Sequence, residues 1–365
     1  MQVALIPQEE IDSDLGVVNA ARVSLGKKTE WQYECNNLIL HLKTVLCSYC
    51  KPKLSSKDIK LLNYLACHNH WTPFAHSSFY LDITWGSVYE EVEWYKNRNS
   101  AGFQHIEMYS GKICSDSYCG IIKGSLIGWI RNIKYLPPNT QKYLLYELYK
   151  NYPESTNALC ENKEYEPFNY ETRGIELNPE YIKLNFPDIY SVTLYIKCPI
   201  AIARQVRTSQ VGFSYSDYYV EGESFVYNEV SRRYVNDDPE FYEIAQWRTR
   251  KGSNIKQGSN GIATDYVQRE AGRVEIGSMG QGLADYRYLD IKYNIAPEQL
   301  RFLLPQSMYT EFYMTGTLSR WCQWLALRSS AEVQLETRYL AAQVALCLAQ
   351  AHPEYMDKAD IKIAV

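Results

Sequence analysis

The residues whose chemistry stands out first are arginines that have no obvious acidic neighbour. They are Arg207, Arg232, Arg233, Arg301 and Arg328. A planar guanidinium suits phosphate or carboxylate recognition better than a lysine ammonium does. If several of these side chains converge, they form a site for the phosphate of a nucleotide. For each arginine taken alone, the alternative is a solvated surface side chain that pairs with a nearby glutamate.

A second group of polar residues lies in the stretch Asn-Glu-Val-Ser-Arg-Arg-Tyr, residues 228–234. In an extended segment Glu229 and Ser231 point to one side and Arg232 points to the other. A ligand along such a strand would meet a carboxylate, a hydroxyl and backbone N–H groups together. An ordinary polar edge strand has the same periodicity, so the pattern leaves both interpretations open.

Arg328 lies in the longest segment with a helical pattern. Residues 317–352 contain no glycine or proline, with Gly316 before them and Pro353 after them, which predicts one helix or a pair of helices. An apolar stripe with i, i+3, i+4, i+7 spacing is formed by Leu318, Trp321, Cys322 and Leu325. Arg328 continues this stripe. A guanidinium on the inward face requires an anion or an acceptor there, because its burial alone is costly.

The sequence offers little for a metal or for the common nucleotide cradles. His68, His70 and His76 lie close together, but their spacing matches none of the usual zinc pairs, so no metal site is expected. Cys47 and Cys50 have redox or zinc spacing without a matching second pair, which favours free thiols. No GxGxxG or GxxxxGK[ST] motif occurs. A bound nucleotide is therefore expected to be held in another way.

Composition indicates the class of protein. The chain has 365 residues and a formal net charge of -4, which argues against nucleic acid as a partner. The ten cysteines are scattered, and no run of 18 apolar residues occurs, so we expect a reduced, soluble, cytoplasmic protein without a membrane partner. The 32 tyrosines exceed what a core needs and indicate binding surfaces.

Several elements and a domain division follow from periodicity and from Pro and Gly positions. Helices are predicted at 36–46, from Ser55 or Ser56 to before Pro73, and at 139–152, and strands at 76–85 and 191–200. The segment 14–28 reads as an element followed by a turn at Gly26. We divide the chain into 1–86, an inserted, mainly helical subdomain at 87–190, a continuation at 191–352 and a tail at 353–365.

Four ordered blocks resemble the flavin-dependent thymidylate synthases, a family unrelated to the folate-only enzyme. The blocks are residues 14–28, 68–76, 198–242 in part, and 303–341. Four blocks in the correct order are far more specific than any single motif. The resemblance implies an α/β fold with a twisted antiparallel sheet and helices, and a homotetramer with active sites between subunits.

The resemblance also implies an activity. FAD would lie across the subunit interface, dUMP would stack on the flavin, methylenetetrahydrofolate would supply a carbon, and NADPH would supply electrons. The product would be dTMP. These small-molecule substrates, a pyrimidine deoxynucleotide and a folate, are the expected partners.

Site residues are carried over from the family at matching positions. The implied dUMP-binding residues are Gln205, Glu229, Ser231, Arg232, Arg233, Arg301 and Arg328. Arg328 is the implied catalytic residue, because a fixed positive charge at the uracil edge favours loss of the N3 proton. Gln334 and Glu336 repeat the family's Gln-x-Glu and are expected to support Arg328. The implied FAD-binding residues are Ser24, His70, Thr72, Arg207, Glu229, Thr317 and Gln323.

The sequence also departs from the family pattern. The family has Arg-His-Arg where this chain has Arg207, Thr208 and Ser209, and Thr317 and Gln323 replace asparagines. Three interpretations follow. The first is reductive methylation of dUMP, the second is folate-dependent hydroxymethylation of dUMP or dCMP, and the third is a catalytically silent nucleotide-binding relative. The retained Arg328, Ser231 and Glu229 argue against the third.

Overall fold

A computed structural model gives the fold of this protein. It describes residues 1–34, 51–85, 106–114, 117–133, 138–160, 174–176, 179–208, 225–233, 235, 237–252 and 258–358. The helix predicted at 36–46 and the Cys47/Cys50 pair lie outside the described residues. Within this part of the chain, no helix combines the length and apolar character needed to cross a membrane.

The strands are first given by their bounds in chain order. They are β1 (Gln2–Ile6), β2 (Gln32–Glu34), β3 (Lys51–Lys53), β4 (Phe79–Trp85), β5 (Ile106–Cys114), β6 (Ser117–Gly124), β7 (Gly174–Glu176), β8 (Ser191–Pro199), β9 (Val226–Glu229), β10 (Arg248–Arg250), β11 (Ser259–Ile262) and β12 (Tyr309–Thr317).

The helices are numbered in the same way. They are α1 (Gln8–Ile11), α2 (Asp14–Arg22), α3 (Ser56–Cys67), α4 (Leu126–Asn132), α5 (Pro138–Asn151), α6 (Pro153–Leu159), α7 (Pro179–Asn185), α8 (Ile200–Arg207), α9 (Asp265–Tyr293), α10 (Pro297–Leu300), α11 (Leu318–Arg328), α12 (Leu335–Ala351) and α13 (Pro353–Lys358).

The chain forms two compact units, and the first contains residues 1–6, 23–26 and 187–365. Its sheet has the antiparallel order β1-β8-β12-β9. In β8 the apolar side chains of Val192, Leu194, Ile196 and Cys198 are buried, whereas Tyr195 and Lys197 are partly exposed. This alternation is the pattern from which the strand at 191–200 was predicted, and β8 confirms it. The predicted class, an antiparallel sheet combined with helices, is also confirmed.

The predicted helical span 317–352 is a pair of helices, α11 and α12. The hydroxyl of Thr317 accepts a hydrogen bond of 3.3 Å from the backbone N–H of Arg320 and so caps the start of α11. Trp321 and Leu325 are fully buried, and the indole N–H of Trp321 donates to the carbonyl of Val192 at 3.1 Å. The inward stripe thus fixes α11 against β8 and determines where its last residue, Arg328, lies.

The second unit contains residues 7–22 and 27–186. Its larger sheet has the order β5-β6-β4-β7. Helix α3 begins where the sequence predicts, because the Ser55 hydroxyl accepts from the N–H of Asp58 at 3.2 Å, and it ends before Pro73. The helix at 139–152 and the strand at 76–85 are found as α5 and β4. The separate subdomain proposed for 87–190 stays a prediction.

A buried carboxylate in this second unit yields a testable pH effect. Asp14 accepts hydrogen bonds of 2.9 Å from the N–H groups of Glu154 and Ser155 at the start of α6. Burial raises the pKa of the Asp14 carboxyl from 3.8 to about 6. The folded state therefore holds this proton more tightly than the unfolded state does. The resulting contribution to the free energy of unfolding is complete below pH 3.8 and is lost as the pH rises through 6.

We expect Asp14→Asn to remove this part of the pH dependence. The difference between the two pKa values corresponds to roughly 3 kcal/mol. Urea unfolding of wild type and variant between about pH 4 and 6.5 measures it. Asp285→Asn, at an exposed position of α9, is the matched control and should retain the wild-type slope. An Asp14→Asn protein with the wild-type slope would contradict the assignment.

Candidate functional site

The site begins with an ion pair between the end of a helix and the end of a strand. Arg207 is the last residue of α8 and Glu229 is the last residue of β9. The Arg207 guanidinium donates to Oε2 of Glu229, and the buried hydroxyl of Thr310 donates to Oε1 at 2.8 Å. Both carboxylate oxygens are therefore bound, which fixes the orientation of the Glu229 side chain. The Arg207 side chain remains 46% exposed and is accessible to a second anion.

Tyr227 lies on the same strand two positions before Glu229, so the two side chains share a face. The Arg207 Cζ atom lies 5.8 Å from the centre of the Tyr227 ring. Burial raises the pKa of the Tyr227 phenol well above its usual value, and the charges of Arg207 and Arg328 oppose that rise. Both arginines are close enough to act on one phenol, so Tyr227 lies in the electrostatic field of two cations.

Arg328 ends α11 and is half-buried, as its place on the inward stripe predicts. Burial lowers the pKa of its guanidinium from the usual value, and Tyr227 acts in the opposite direction. An arginine stays charged at neutral pH even after such a shift. Arg328 therefore supplies a partly desolvated, fixed positive charge that acts on the Tyr227 phenol.

The chain leaves the sheet directly after Glu229. The N–H of Val230 donates to the carbonyl of Glu311 at 2.8 Å, and the N–H of Ser231 donates to the carbonyl of Ser24 at 2.8 Å. The Ser231 hydroxyl accepts from Nε of Arg233 at 3.1 Å. These contacts bring Ser24 and Ser231 together, although the two residues are far apart in the sequence.

Arg232 does not continue the alternation of a strand. Residues 232–233 form a turn, and the Arg232 guanidinium donates to the carbonyl of Asp237. In an extended segment the Arg232 side chain would point away from those of Glu229 and Ser231. In this turn the alternation of a strand no longer sets its direction. The arginine pair is presented by a loop that the backbone contacts of Val230 and Ser231 hold against the sheet.

Gln205 lies in a chain of polar side chains. Its Nε2 donates to Oε1 of Gln334 at 2.5 Å, and its Oε1 accepts from the hydroxyl of Thr337 at 2.9 Å. Gln334 in turn donates to Glu336 at 2.9 Å. Glu336 also accepts two hydrogen bonds from Arg248, at 2.7 and 2.8 Å. The structure thus joins the Gln-x-Glu pair to both Gln205 and Arg248.

The other expected site residues lie in varied surroundings. Arg301 is exposed, with its Cζ 5.9 Å from the ring of Phe302. Thr317 is only 1% exposed, and its hydroxyl caps α11. The side-chain oxygen of Gln323 accepts from Arg320 at 3.5 Å.

His70 and Thr72 belong to the second unit. The His70 ring lies edge-on to Tyr64, with ring centres 6.1 Å apart, and Thr72 begins a 3-10 turn. Among the residues that the structure describes, no group of three His, Cys, Asp or Glu side chains could hold a metal ion.

Sequence reasoning missed three members of this neighbourhood, namely Tyr227, Thr310 and Arg248. Tyr227 carries a usable signal, because it lies two positions before Glu229 on a strand. Thr310 and Arg248 carry no such signal in the sequence. Their contacts with Glu229 and Glu336 join residues 81 and 88 positions apart.

Comparison with known proteins relates part of the chain to one protein family. Residues 185–354 match the family model described as "Thymidylate synthase complementing protein". The matched segment contains α8, β9, β12, α11 and α12, which carry most of the site. This match confirms the resemblance to the flavin-dependent thymidylate synthases over residues 185–354.

Individual relatives are named flavin-dependent thymidylate synthases. A flavin-dependent thymidylate synthase of Thermus thermophilus is 32% identical over 154 residues, which are 41% of this chain and 49% of the relative. One from Thermosipho africanus is 27% identical over 153 residues, which are 42% of this chain and 60% of the relative. The chain thus spans about half the length of the curated relatives it matches.

Two solved structures of a UMP/dUMP methylase from Streptomyces cacaoi are also similar. The one bound with 5-Br UMP has a TM-score of 0.40 and 21% identity, and the match covers 50% of this chain and 79% of the methylase chain. The one bound with 5-Br dUMP has a TM-score of 0.38 and 15% identity, with coverage of 79% and 97%.

Proposed function

We propose that the protein transfers a one-carbon unit from methylenetetrahydrofolate to C5 of dUMP and releases dTMP, with FAD as cofactor and NADPH as reductant. One observation carries the proposal. The segment that matches the family contains the Arg207–Glu229 ion pair beside Tyr227, and the charges of both Arg207 and Arg328 act on the Tyr227 phenol. We further propose that the enzyme works as a homotetramer, as the resemblance implies.

Arg328 would act on the base. Its charge is partly desolvated, and an interaction with a developing anion is stronger in such a site than in water. Placed at the uracil edge, it would stabilise the anion formed when N3 loses its proton. The Tyr227 phenol has a raised pKa, so it stays protonated and would serve as a neutral hydrogen-bond donor beside this charge.

The phosphate of dUMP would meet the loop after β9. Ser231, Arg232 and Arg233 offer a hydroxyl and two guanidinium groups there, and backbone contacts of the loop hold it against the sheet. Arg301 would add a further cation, and Gln205 would contact the nucleotide from α8. Guanidinium forks are well suited to phosphate because they donate two parallel hydrogen bonds.

The residues of the first unit fit FAD in part. The exposed Arg207 guanidinium suits an anionic group such as the pyrophosphate of FAD, and Ser24 lies beside Ser231. The Thr317 side chain is buried and its hydroxyl caps α11, so flavin contact from this residue would use its backbone. When bound, FAD would supply the hydride that reduces the transferred carbon. His70 and Thr72 remain proposed flavin contacts.

One observation favours a second candidate, hydroxymethylation of dUMP or dCMP. Thr208 and Ser209 follow Arg207 where the family has a histidine and an arginine. Fewer cations are then available for the flavin. In hydroxymethylation water, rather than a hydride, completes the reaction of the methylene adduct, so a weaker flavin site would suffice.

The mass of the product nucleotide tests the proposal. Purified protein is incubated with dUMP, methylenetetrahydrofolate, FAD and NADPH, and the nucleotides are weighed by mass spectrometry. We expect a product that carries an added methyl group, formed only when folate is present. A product heavier by one further oxygen atom would establish hydroxymethylation. Complete absence of product from dUMP, and from dCMP in a parallel assay, would support the third interpretation, a catalytically silent nucleotide-binding relative.

Flavin absorbance gives an independent check on the cofactor. Protein purified with FAD is expected to be yellow and to keep the visible flavin bands after gel filtration. Protein that stays colourless after incubation with FAD would contradict reductive methylation by flavin.

A further inference from the structure

The polar chain behind Gln205 has one end anchored in a buried ion pair. Arg248 lies on β10, and its side chain is 17% exposed. Its Nη2 donates to both oxygens of Glu336, and its Nε donates to the hydroxyl of Ser259 on β11 at 2.8 Å. Glu336 is only 6% exposed, so its charge depends on these partners. The hairpin β10–β11 therefore holds the anchor in place.

The ionised state of Glu336 is built into this arrangement. Burial alone would raise the pKa of its carboxyl, but the hydrogen bonds from Arg248 and Gln334 and the charge of Arg248 hold it below the usual value. An ionised carboxylate can only accept hydrogen bonds. Whatever faces Glu336 must therefore present a donor.

This requirement determines the orientation of two amides in succession. Gln334 must direct its Nε2 at Glu336, so its Oε1 is the atom directed at Gln205. Gln205 must then direct its own Nε2 at Gln334, and its Oε1 accepts from Thr337. Rotating either amide by half a turn would oppose two acceptors. The charge of Glu336 thus determines the amide orientation of Gln205, although Gln334 lies between the two side chains.

We propose that Arg248, Glu336 and Gln334 form a polar relay that fixes the amide orientation of Gln205 and so determines which edge of a pyrimidine this residue recognises. The inference rests on the proposed function, which assigns Gln205 to the nucleotide. Uracil and cytosine differ in donors and acceptors at the 4-position and at N3. An amide with one fixed orientation distinguishes them, whereas an amide that can rotate does not. Arg248 and Glu336 are positioning residues in this scheme.

The relay also involves the segment next to Arg328. Gln334 lies six positions after Arg328, in the connection between α11 and α12. The hydrogen bonds of Gln334 to Gln205 and Glu336 hold the far end of this connection. The proposed base-reading residue and the proposed catalytic arginine are thus joined by one short stretch of chain.

The test measures dissociation constants for dUMP and dCMP by titration calorimetry. Glu336→Gln replaces the acceptor-only group with one that can donate or accept, and Arg248→Gln removes the cation that keeps Glu336 ionised. We expect each variant to bind the preferred nucleotide about tenfold more weakly, which corresponds to about 1.4 kcal/mol. The ratio of the two dissociation constants should move toward one. The double variant should resemble the single variants, because all three break the same relay.

Controls separate this role from general support of the fold. Arg250→Gln removes the same charge from an exposed position of the same hairpin and should bind both nucleotides as wild type does. Each single variant leaves a buried charge without its partner. If that prevents folding, the double variant has neither charge and supplies the measurement. Thermal unfolding of every variant shows that affinity is compared between folded proteins.

The outcomes distinguish the relay from the proposed function. Wild-type affinity and an unchanged ratio in folded Glu336→Gln, Arg248→Gln or double-variant protein would overturn the relay while the function stands. Equal affinity of the wild type for dUMP and dCMP would also overturn it. A wild-type protein that binds neither nucleotide would refute the proposed function, and the relay with it.

Discussion

Arg328→Ala is expected to lower kcat by about 10²–10³-fold, the usual effect of removing one preorganised electrostatic group from a transition state. The guanidinium is half-buried at the end of α11, so its charge acts through a poorly screened environment. Stabilisation of a developing ring anion is required only during the reaction. We therefore expect kcat to fall much more than the affinity for dUMP.

The fold should survive this change, because the buried stripe of α11 consists of Leu318, Trp321 and Leu325, which remain. Arg273→Ala, on the exposed face of α9, is the matched control and should keep wild-type kinetics. Steady-state rates and thermal unfolding of both variants provide the comparison. Arg328→Ala protein with wild-type turnover would remove Arg328 from the catalytic role.

Glu229→Gln is expected to weaken dUMP binding by about 10–100-fold. The carboxylate fixes Arg207 through a charge-assisted hydrogen bond, and bonds of this kind contribute roughly 1.5–3 kcal/mol. Glutamine keeps an acceptor for the hydroxyl of Thr310 but loses the charge that holds the guanidinium. Arg207 would then leave the ring of Tyr227, and the cation arrangement of the site would change.

Titration calorimetry with dUMP measures this effect. Glu240→Gln removes the same charge from an exposed carboxylate that pairs with Lys197, and it should bind dUMP as wild type does. Equal affinity of Glu229→Gln and Glu240→Gln protein for dUMP would show that the Arg207–Glu229 pair lies outside the nucleotide site.

Local rules predict the elements of this protein well. The start of α3 follows from a serine cap, and the pair α11 and α12 follows from a span without glycine or proline. The half-buried position of Arg328 follows from the spacing of the residues before it, because a helix places i, i+3, i+4 and i+7 on one face. These features depend on neighbours in sequence, so the sequence contains them directly.

Pairings between distant residues could not be obtained in this way. Arg207 and Glu229 look like separate polar residues in the sequence, and their contact depends on how β9 pairs with β12 beside α8. Arg248 showed no motif at all, and only its contact with Glu336 gives it a role. The turn at residues 232–233 was missed because an extended pattern was continued past the last residue of the strand.

The resemblance to a family added what physical rules alone could not. It directed attention to residues 205, 229, 231 and 328 as parts of one site, and all four lie within the segment 185–354 that matches the family model. It did not supply the substitutes for the family's Arg-His-Arg motif. Tyr227 and Thr310, which surround the remaining Arg207–Glu229 pair, emerged only from the structure.

A crystal structure of the protein with dUMP tests the central claim most directly. The account predicts a single nucleotide whose base lies beside Arg328 and Tyr227 and whose phosphate contacts the loop of Ser231, Arg232 and Arg233. A nucleotide bound elsewhere, with Arg328 and Ser231 on surfaces that share no cavity, would contradict it.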